Sequence, residues 1–472
     1  MYKHWCEFLS PNNLQAIHDT SMKLLSEVGV RFPEDTAIST FKQHGFKTEG
    51  HVVYFREDQV MKATKMAPSQ FTIHARNPDR DVIIGNGEPV FAPGYGAPFL
   101  VDLEKGKRIP TLEDFHNLAK LAHEMPNQDM NGHLMVQPHD IPYDIAHLHM
   151  LHACMLHSDK PFMGSTNGTK GAQHTMEMGE ILFGEKSERP FTIGLINSLS
   201  PLSYGTDMLE ALIAYAQARQ PVIIASLIMA GSTGPITLAG VLAQQNAEIL
   251  ASIVLVQLIQ PGLPLLYGSS STNMDMRTGA LAIGSPELSL CVSAHAQLAR
   301  FYMLPCRSGG SLTDSAITDA QAGFESMFSL LTTVNSGVDF VLHAAGILSG
   351  YTAFSYEKFI LDDEMCSMMR KFAQGIEVTP ETLAYDVIAR VGHDDHFLEE
   401  EHTLERCRTE FWQPQVVNRY GLAAWSDNDM QDATNQAHKR WQELLTQHED
   451  PPLDKLVARQ IDSYLNEKTN QT

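Results

Sequence analysis

Between residues 88 and 374 short apolar runs alternate with amphipathic segments eight times over. The runs are "EPVFA" (88–92), "GHLMVQ" (132–137), "PFMGS" (161–165), "FTIGLIN" (191–197), "PVIIAS" (221–226), "PLLYGS" (264–269), "MLPCRSG" (303–309) and "VDFVLHA" (338–344). Helical periodicity covers 111–124, 143–157, 169–183, 206–218, 238–259, 286–302, 317–335 and 356–374. The runs are continuous and not alternating, as expected of strands covered on both faces. Each helical stretch is long enough for a right-handed crossover. Eight such units predict an α/β fold, a (β/α)8 TIM barrel. An open doubly wound sheet is the alternative, but no GxGxxG opens a strand–helix turn to support its dinucleotide-binding form.

The flanks break the beat. Residues 1–87 read as an N-terminal helical and β-hairpin elaboration, with Ser10 and Pro11 opening a helix over 10–31 and short strands following from 52. Residues 88–375 are the barrel. Residues 376–472 are polar and charged, with helices near 429–447 and 453–467, and form a C-terminal helical extension packed on the barrel.

Net charge narrows the partners. With 56 acidic against 34 basic residues the formal charge is −22, which argues against nucleic acid and anionic membrane, since both need clustered Lys and Arg. The plain reading of the acidity is solubility. The first residues carry no secretory pattern, and "GVLAQQNAEILASIVLVQLIQPG", the nearest approach to a membrane span, is interrupted by Gln244, Gln245, Asn246 and Glu248. Six scattered cysteines without a CxxC pair suit reduced thiols in the cytoplasm.

Barrel chemistry is built from the carboxyl ends of strands. Here those ends offer Tyr95 between two glycines, Gln137, Ser165, Thr166, Asn197, Ser226, Ser269–Ser271, Ser308 and His343. Carboxylates are few and lysine is missing, so this rim suits holding a molecule better than moving protons. No GxSxG elbow occurs, and Cys306 reads as a small strand hydrophobe. His152-x-Cys154 suggests zinc, but residues two apart on a helix point to nearly opposite sides, so no metal site is expected. In the glycine-rich loop at 307–323, Asp314 either faces a cationic ligand or caps the turn. Tyr95, Tyr204, Tyr351, Phe354 and Tyr356 follow strand ends. Rings gathered round one cavity suit a quaternary ammonium, each contributing about 2 kcal/mol of cation–π attraction when desolvated. They can equally pack loops onto the barrel.

Three stretches carry a resemblance. "LSPNNLQAIHDTSMKLLSEVGVRF", "GGSLTDSAITDAQAGFESMFSLL" and "NSGVDFVLHAAGILSGYTAFSYEKFILDDEM" resemble the trimethylamine methyltransferase (MttB-like) family, from about 8 to 465. The family implies a (β/α)8 barrel that passes a methyl group from an amine to a cognate corrinoid protein. All residues here are standard ones, which implies the branch without pyrrolysine, acting on quaternary amines of the glycine betaine, proline betaine or carnitine class. On that reading no cofactor is held tightly, and cob(I)alamin is supplied by the partner corrinoid protein, whose Co(I) attacks an N-methyl carbon in line. Tyr95, Tyr204 and Phe354 then form an aromatic box with Tyr351 beside it, and Asn197, Gln321 and Asp314 add polar contacts. His343, as the catalytic residue, bonds the substrate carboxylate or fixes a ring; the alternative is a satisfied strand-end histidine. Arg307 and Arg277 are both open as carboxylate partners. The expected enzyme is a cytoplasmic homo-oligomer with no nucleic-acid or membrane partner. A betaine-binding protein without catalysis and a zinc-dependent methylcorrinoid:thiol or folate methyltransferase are the competing classes.

Overall fold

Seven of the eight apolar runs pair into one parallel sheet in the computed structural model, which describes residues 6–184, 189–393, 395–427 and 430–470. The strands are β1 (Val90–Ala92), β2 (Phe162–Met163), β3 (Thr192–Asn197), β4 (Val222–Ser226), β5 (Leu265–Ser269), β6 (Cys306–Arg307) and β7 (Phe340–Leu342). Their spatial order is β1-β7-β6-β5-β4-β3-β2, so the first and last strands lie side by side and the sheet curls. Register is set by pairs such as Leu342↔Ala92 and Ser226↔Ser269.

The run at 132–137 is a correction. It does not form a strand of the sheet; residues 133–135 turn, and Val136 makes only a bridge to Ala97. The place between β1 and β2 is taken three residues earlier. Asp129 N–H donates to Phe91 O (2.8 Å), Asn131 N–H to Pro161 O (2.8 Å), and Met163 N–H to Asn131 O (3.1 Å). Polar side chains serve this segment: the Asp129 carboxylate accepts from Phe91 N–H at 2.7 Å and pairs with Arg370, and Asn131 Nδ2 donates to Ala119 O at 3.0 Å. Leu134, Met135 and Val136 pack outside the sheet instead.

Alternation along each strand separates two apolar layers. Ile193, Leu195, Ile223, Ala225, Leu266, Phe340 and Leu342 face inward, while Ile196, Val222, Ile224, Leu265, Tyr267, Cys306 and Val341 face the helices. A two-stranded hairpin, Phe71–Ile73 with Val82–Ile84, adds Phe71, Ile73, Val82 and Ile84 to the inner layer. Its His74 N–H donates to Pro190 O (2.7 Å), ahead of β3, so the hairpin stoppers the amino end of the sheet.

Outside lie α4 (Leu112–Glu124), α5 (Tyr143–His157), α6 (Gly168–Phe183), α7 (Thr206–Gln217), α8 (Leu238–Ile259), α9 (Pro286–Phe301), α10 (Ala320–Asn335) and α11 (Tyr356–Gln374). Among the described residues α8 alone is long and apolar enough to cross a membrane, and it is buried in the core beneath α1 (Pro11–Lys23), α2 (Asp35–Gln43) and α3 (Glu57–Thr64). Each fully buried Leu, Ile or Val there contributes about 1.5–3 kcal/mol. Ser10 caps α1, accepting from Asn13 N–H. Beyond α11, helices α12 to α16 (Tyr385–Val391, Glu401–Arg406, Leu422–Asp427, Ala433–Gln447 and Lys455–Asn470) follow, with α15 on α4 and α11 and α16 on α5 and α6.

Candidate active site at the carboxyl end of the sheet

Continuing the inward faces past the strand ends brings Asn197 above Leu195, Ser270 above Leu266, and Arg307 beside Cys306 to one mouth. Tyr95, in the loop after β1, rests on top of the inner layer, with Thr166 beside its hydroxyl. Burial pushes that phenol up to about 12, so it is neutral.

His343 would face the helices if β7 continued regularly. Instead its φ is 67°, in the left-handed region. Its Nδ1 accepts from Tyr95 N–H at 3.1 Å, and its ring lies 4.7 Å from the Tyr351 ring. Tyr351 is itself left-handed, with φ 69°. Each such residue costs about 1–3 kcal/mol, and paired outliers of this kind cluster where function requires the geometry. Burial, with the Arg307 charge adding to it, holds the imidazole well below its ordinary pKa. The ring is therefore neutral at pH 7. Because Nδ1 accepts, the proton sits on Nε2, which has no partner among the described residues.

The loop after β6 holds this arrangement from above. Ser311 N–H donates to His343 O (3.0 Å), and a Cβ on Gly310 (φ 137°) would lie 2.4 Å from that oxygen, so only glycine fits. Arg307 is 2% exposed. Its Nη1 donates to Ser270 Oγ at 2.6 Å and Ser269 O at 3.3 Å, while Nε has no partner. The Tyr351 hydroxyl, beside Ser270, also lacks a well-formed hydrogen bond.

Other residues singled out from the sequence lie elsewhere. Tyr204 is in the outer core, its ring 5.5 Å from Phe32 in a stack and its hydroxyl donating to Glu248 O at 2.9 Å. It fastens the N-terminal layer to the sheet and is not at the mouth. Phe354 is wholly buried behind the β1 loop, where a Cβ on Gly346 (φ 98°) would lie 2.2 Å from its ring. Asp314 caps a turn, accepting from Ile283 N–H at 2.8 Å. Gln321 Nε2 donates to Glu325 Oε1 at 3.0 Å, and Glu325 also accepts from Thr313 Oγ1 (2.6 Å) and Asp314 N–H (2.9 Å). These residues shape the loop bordering the mouth. Arg277 is exposed and pairs with Asp275. Thus Tyr95, His343 and Tyr351 come together, Asn197 stands on the inward face at the same end of the sheet, and Tyr204, Phe354, Gln321 and Asp314 do not join them.

Two buried carboxylates anchor the rim. Glu248 of α8 accepts from Ser198 Oγ (2.6 Å), Ser200 Oγ (2.7 Å), Ser226 Oγ (2.7 Å), Leu202 N–H (2.9 Å) and Gln244 Nε2 (3.0 Å), tying the loop after β3 and the end of β4 to one helix. Asp362 of α11 pairs with Lys358 at 2.6 Å and accepts from Gly346 N–H at 2.8 Å, while Lys358 Nζ donates to Ser311 O at 3.0 Å. One ion pair thereby holds the loops flanking Arg307 and His343. On α5 the histidine–cysteine spacing separates as helix geometry requires: Cys154 Sγ meets Gly132 O in the core at 3.3 Å, and His152 meets Asp462 outside at 2.8 Å. A cluster that sequence spacing could not reveal joins His157 to His448 and Asp450, which lie nearly 300 residues further along the chain, outside the sheet.

Comparison with known proteins now decides the family. A family model described as trimethylamine methyltransferase (MTTB) matches residues 3–472. The chain belongs to the trimethylamine methyltransferase family. A glycine betaine methyltransferase of Desulfitobacterium hafniense (strain Y51) is 46% identical, over 98% of this chain and 96% of its own. A proline betaine:corrinoid methyltransferase of Eubacterium limosum is 32% identical over 98% and 97%. This trimethylamine methyltransferase family member has only standard residues and stands in the branch without pyrrolysine. Among solved structures, the monomethylamine methyltransferase MtmB of Methanosarcina barkeri superposes with a TM-score of 0.57 over 94% of this chain and 90% of its own, at 11% identity. That likeness concerns the fold.

Proposed function

We propose that this enzyme moves an N-methyl group from a carboxylated quaternary amine, of the glycine betaine, proline betaine or carnitine class, to the Co(I) of a cognate corrinoid protein. The C–N bond breaks with its electron pair left on nitrogen, and the released product is a tertiary amine. Neither a proton acceptor nor a proton donor is needed, because the nitrogen carries its positive charge from the start. The observation that carries the reading is the neutral ring group of Tyr95, His343 and Tyr351, two of its three members held left-handed at the carboxyl end of the sheet. Neutral ring faces stabilise a permanent cation. Asp314, the carboxylate bordering the mouth, is committed to Ile283 N–H. Asn197 supplies an amide to the same space.

The role of this chain's residues is to bind, orient and exclude water. Positioning a methyl carbon in line with its acceptor contributes many kcal/mol. The reading takes 88–375 as a (β/α)8 body closed by the segment at 129–131, with 1–87 and 376–472 as additions. It also takes the enzyme as a cytoplasmic homo-oligomer: Ile376, Val378, Leu383, Tyr385, Leu398 and Leu404 are exposed along the C-terminal extension and give a second copy apolar surface to bury.

The test incubates the purified chain with reduced cob(I)alamin and a panel of quaternary amines, following the loss of the cob(I)alamin spectrum. Methylcobalamin formation with a betaine and not with trimethylamine is the expected result. Betaine binding without methyl transfer to cobalamin or to a co-purified corrinoid protein would move the chain to the binding-protein class.

A further inference from the structure

Among the described residues the other fully buried cations are satisfied, and half-buried Arg76 keeps Nε and Nη1 unpartnered while its Nη2 donates to Ser158 O at 3.0 Å. Lys358 has Asp362 at 2.6 Å. Lys160 is caged by three carbonyls, Ala122 O and Met125 O at 2.8 Å and Gln128 O at 2.7 Å. Arg108 has two carboxylates, Asp102 and Asp114. Arg307 is as deeply buried as Lys358 yet has no carboxylate within ion-pair distance among the described residues, and its Nε is unpartnered. A buried guanidinium offers five N–H donors, of which only Nη1 is engaged here. Desolvation is so unfavourable that it draws the Arg307 pKa down to about 10. The neighbours give no counter-charge: His343 is neutral and Tyr351 is a phenol.

We infer that Arg307 is the seat for the substrate's carboxylate, its free guanidinium edge and the Nε2–H of His343 closing on one anion while the rings take the ammonium end. The inference rests on the methyl-transfer reading for the identity of the ligand, not for the existence of an anion site. It carries a selectivity. An unpaired guanidinium in low dielectric repels a simple quaternary cation, whereas a zwitterion brings the compensating charge with it. Choline and tetramethylammonium are therefore rejected not by size but by their missing anion. Arg suits the role better than Lys because its planar fork grips a carboxylate at two points.

Calorimetric titration of the purified full chain with three probes isolates the anion site. Glycine betaine has both charges, choline has the ammonium alone, and 3,3-dimethylbutyrate has the carboxylate on an uncharged isostere. Wild type binds betaine about 100-fold tighter than choline, the scale of one buried hydrogen-bonded charge pair. Arg307→Gln abolishes that preference, leaving choline binding within about threefold of wild type or improved. Arg307→Lys keeps the charge, loses the fork and falls between. Preference retained in Arg307→Gln, or equal loss of both ligands with unchanged thermal midpoint, overturns the assignment. If Arg307→Gln does not fold, wild type decides: 3,3-dimethylbutyrate competing with betaine supports the seat, and its failure to bind overturns it. The two readings separate cleanly. Carboxylate preference without methyl transfer sinks the proposed reaction and leaves the seat; methyl transfer without carboxylate preference does the reverse.

Discussion

Lys358→Met tests whether a single ion pair holds the mouth together. Lys358 and Asp362 are both within 2% of full side-chain burial, and between them they reach Ser311 O and Gly346 N–H, one on each loop beside the site. Burial raises the Asp362 pKa to about 6 even with the lysine in place. Without the lysine the carboxyl stays protonated well above that. At pH 8 the added term is two units at about 1.4 kcal/mol each, about 3 kcal/mol. Losing the bond to Ser311 O adds about 1 kcal/mol, for a total inside the ~3–5 kcal/mol expected when one partner of a buried pair is removed. At pH 6 wild-type Asp362 is already half protonated, so its share falls below about 1 kcal/mol. The sign follows from the raised pKa: the variant's deficit grows as pH rises through 6 and shrinks as it falls. Urea unfolding of wild type and variant at pH 6 and pH 8 measures this. A deficit under about 1 kcal/mol at pH 8, or one equal at both pH values, refutes the reasoning. Pairing Lys358→Met with Asp362→Leu relieves the charge and still leaves Ser311 O and Gly346 N–H without partners, so rescue is incomplete.

Tyr95→Ala and Tyr351→Ala each lower kcat/KM for a betaine by about 30-fold, the worth of one desolvated cation–π contact, while Tyr204→Phe leaves it unchanged; steady-state methylation of cob(I)alamin checks this. His343→Asn accepts the left-handed backbone and folds within about 1 kcal/mol of wild type, yet loses turnover; His343→Val adds about 1–2 kcal/mol of backbone strain, read from denaturant midpoints. Acid destabilises through His295 and His133, which burial holds down to about 3. Stability from each is complete above the unfolded value of about 6.5 and declines at about 1.4 kcal/mol per unit below it. His295→Gln should therefore remove about that slope between pH 6.5 and 5 in urea titrations.

The beat of strands and helices was legible because parallel strands covered on both faces must be apolar runs. Where that necessity lapses, so does the signal. The segment at 129–131 pairs through Asp129 and Asn131, whose side chains are hydrogen-bonded, and the eye passes on to the more apolar 134–136. Strand-end aromatics were visible as a set but not separable: Tyr95 rests on the inner layer and Tyr204 on the outer, a difference set by packing partners far away in sequence. Arg307 stood in plain view, but its distinguishing property is a missing carboxylate, which no run of residues can display. Glu248 likewise looked like an interruption of an apolar helix, and its five donors come from the loop after β3, the end of β4 and its own helix.

The hairpin that fills the amino end of the sheet has a consequence for timing. On the proposed reaction, with the amino end stoppered, small molecule and corrinoid protein share the doorway at the carboxyl end of the sheet, and the larger visitor shuts it. On the proposed reaction the amine must be seated before the protein arrives, and the demethylated product must wait for that protein to leave. Turnover is then a compulsory queue, with the docked partner acting as the cork of a vessel already sealed at its base by Phe71, Ile73, Val82 and Ile84.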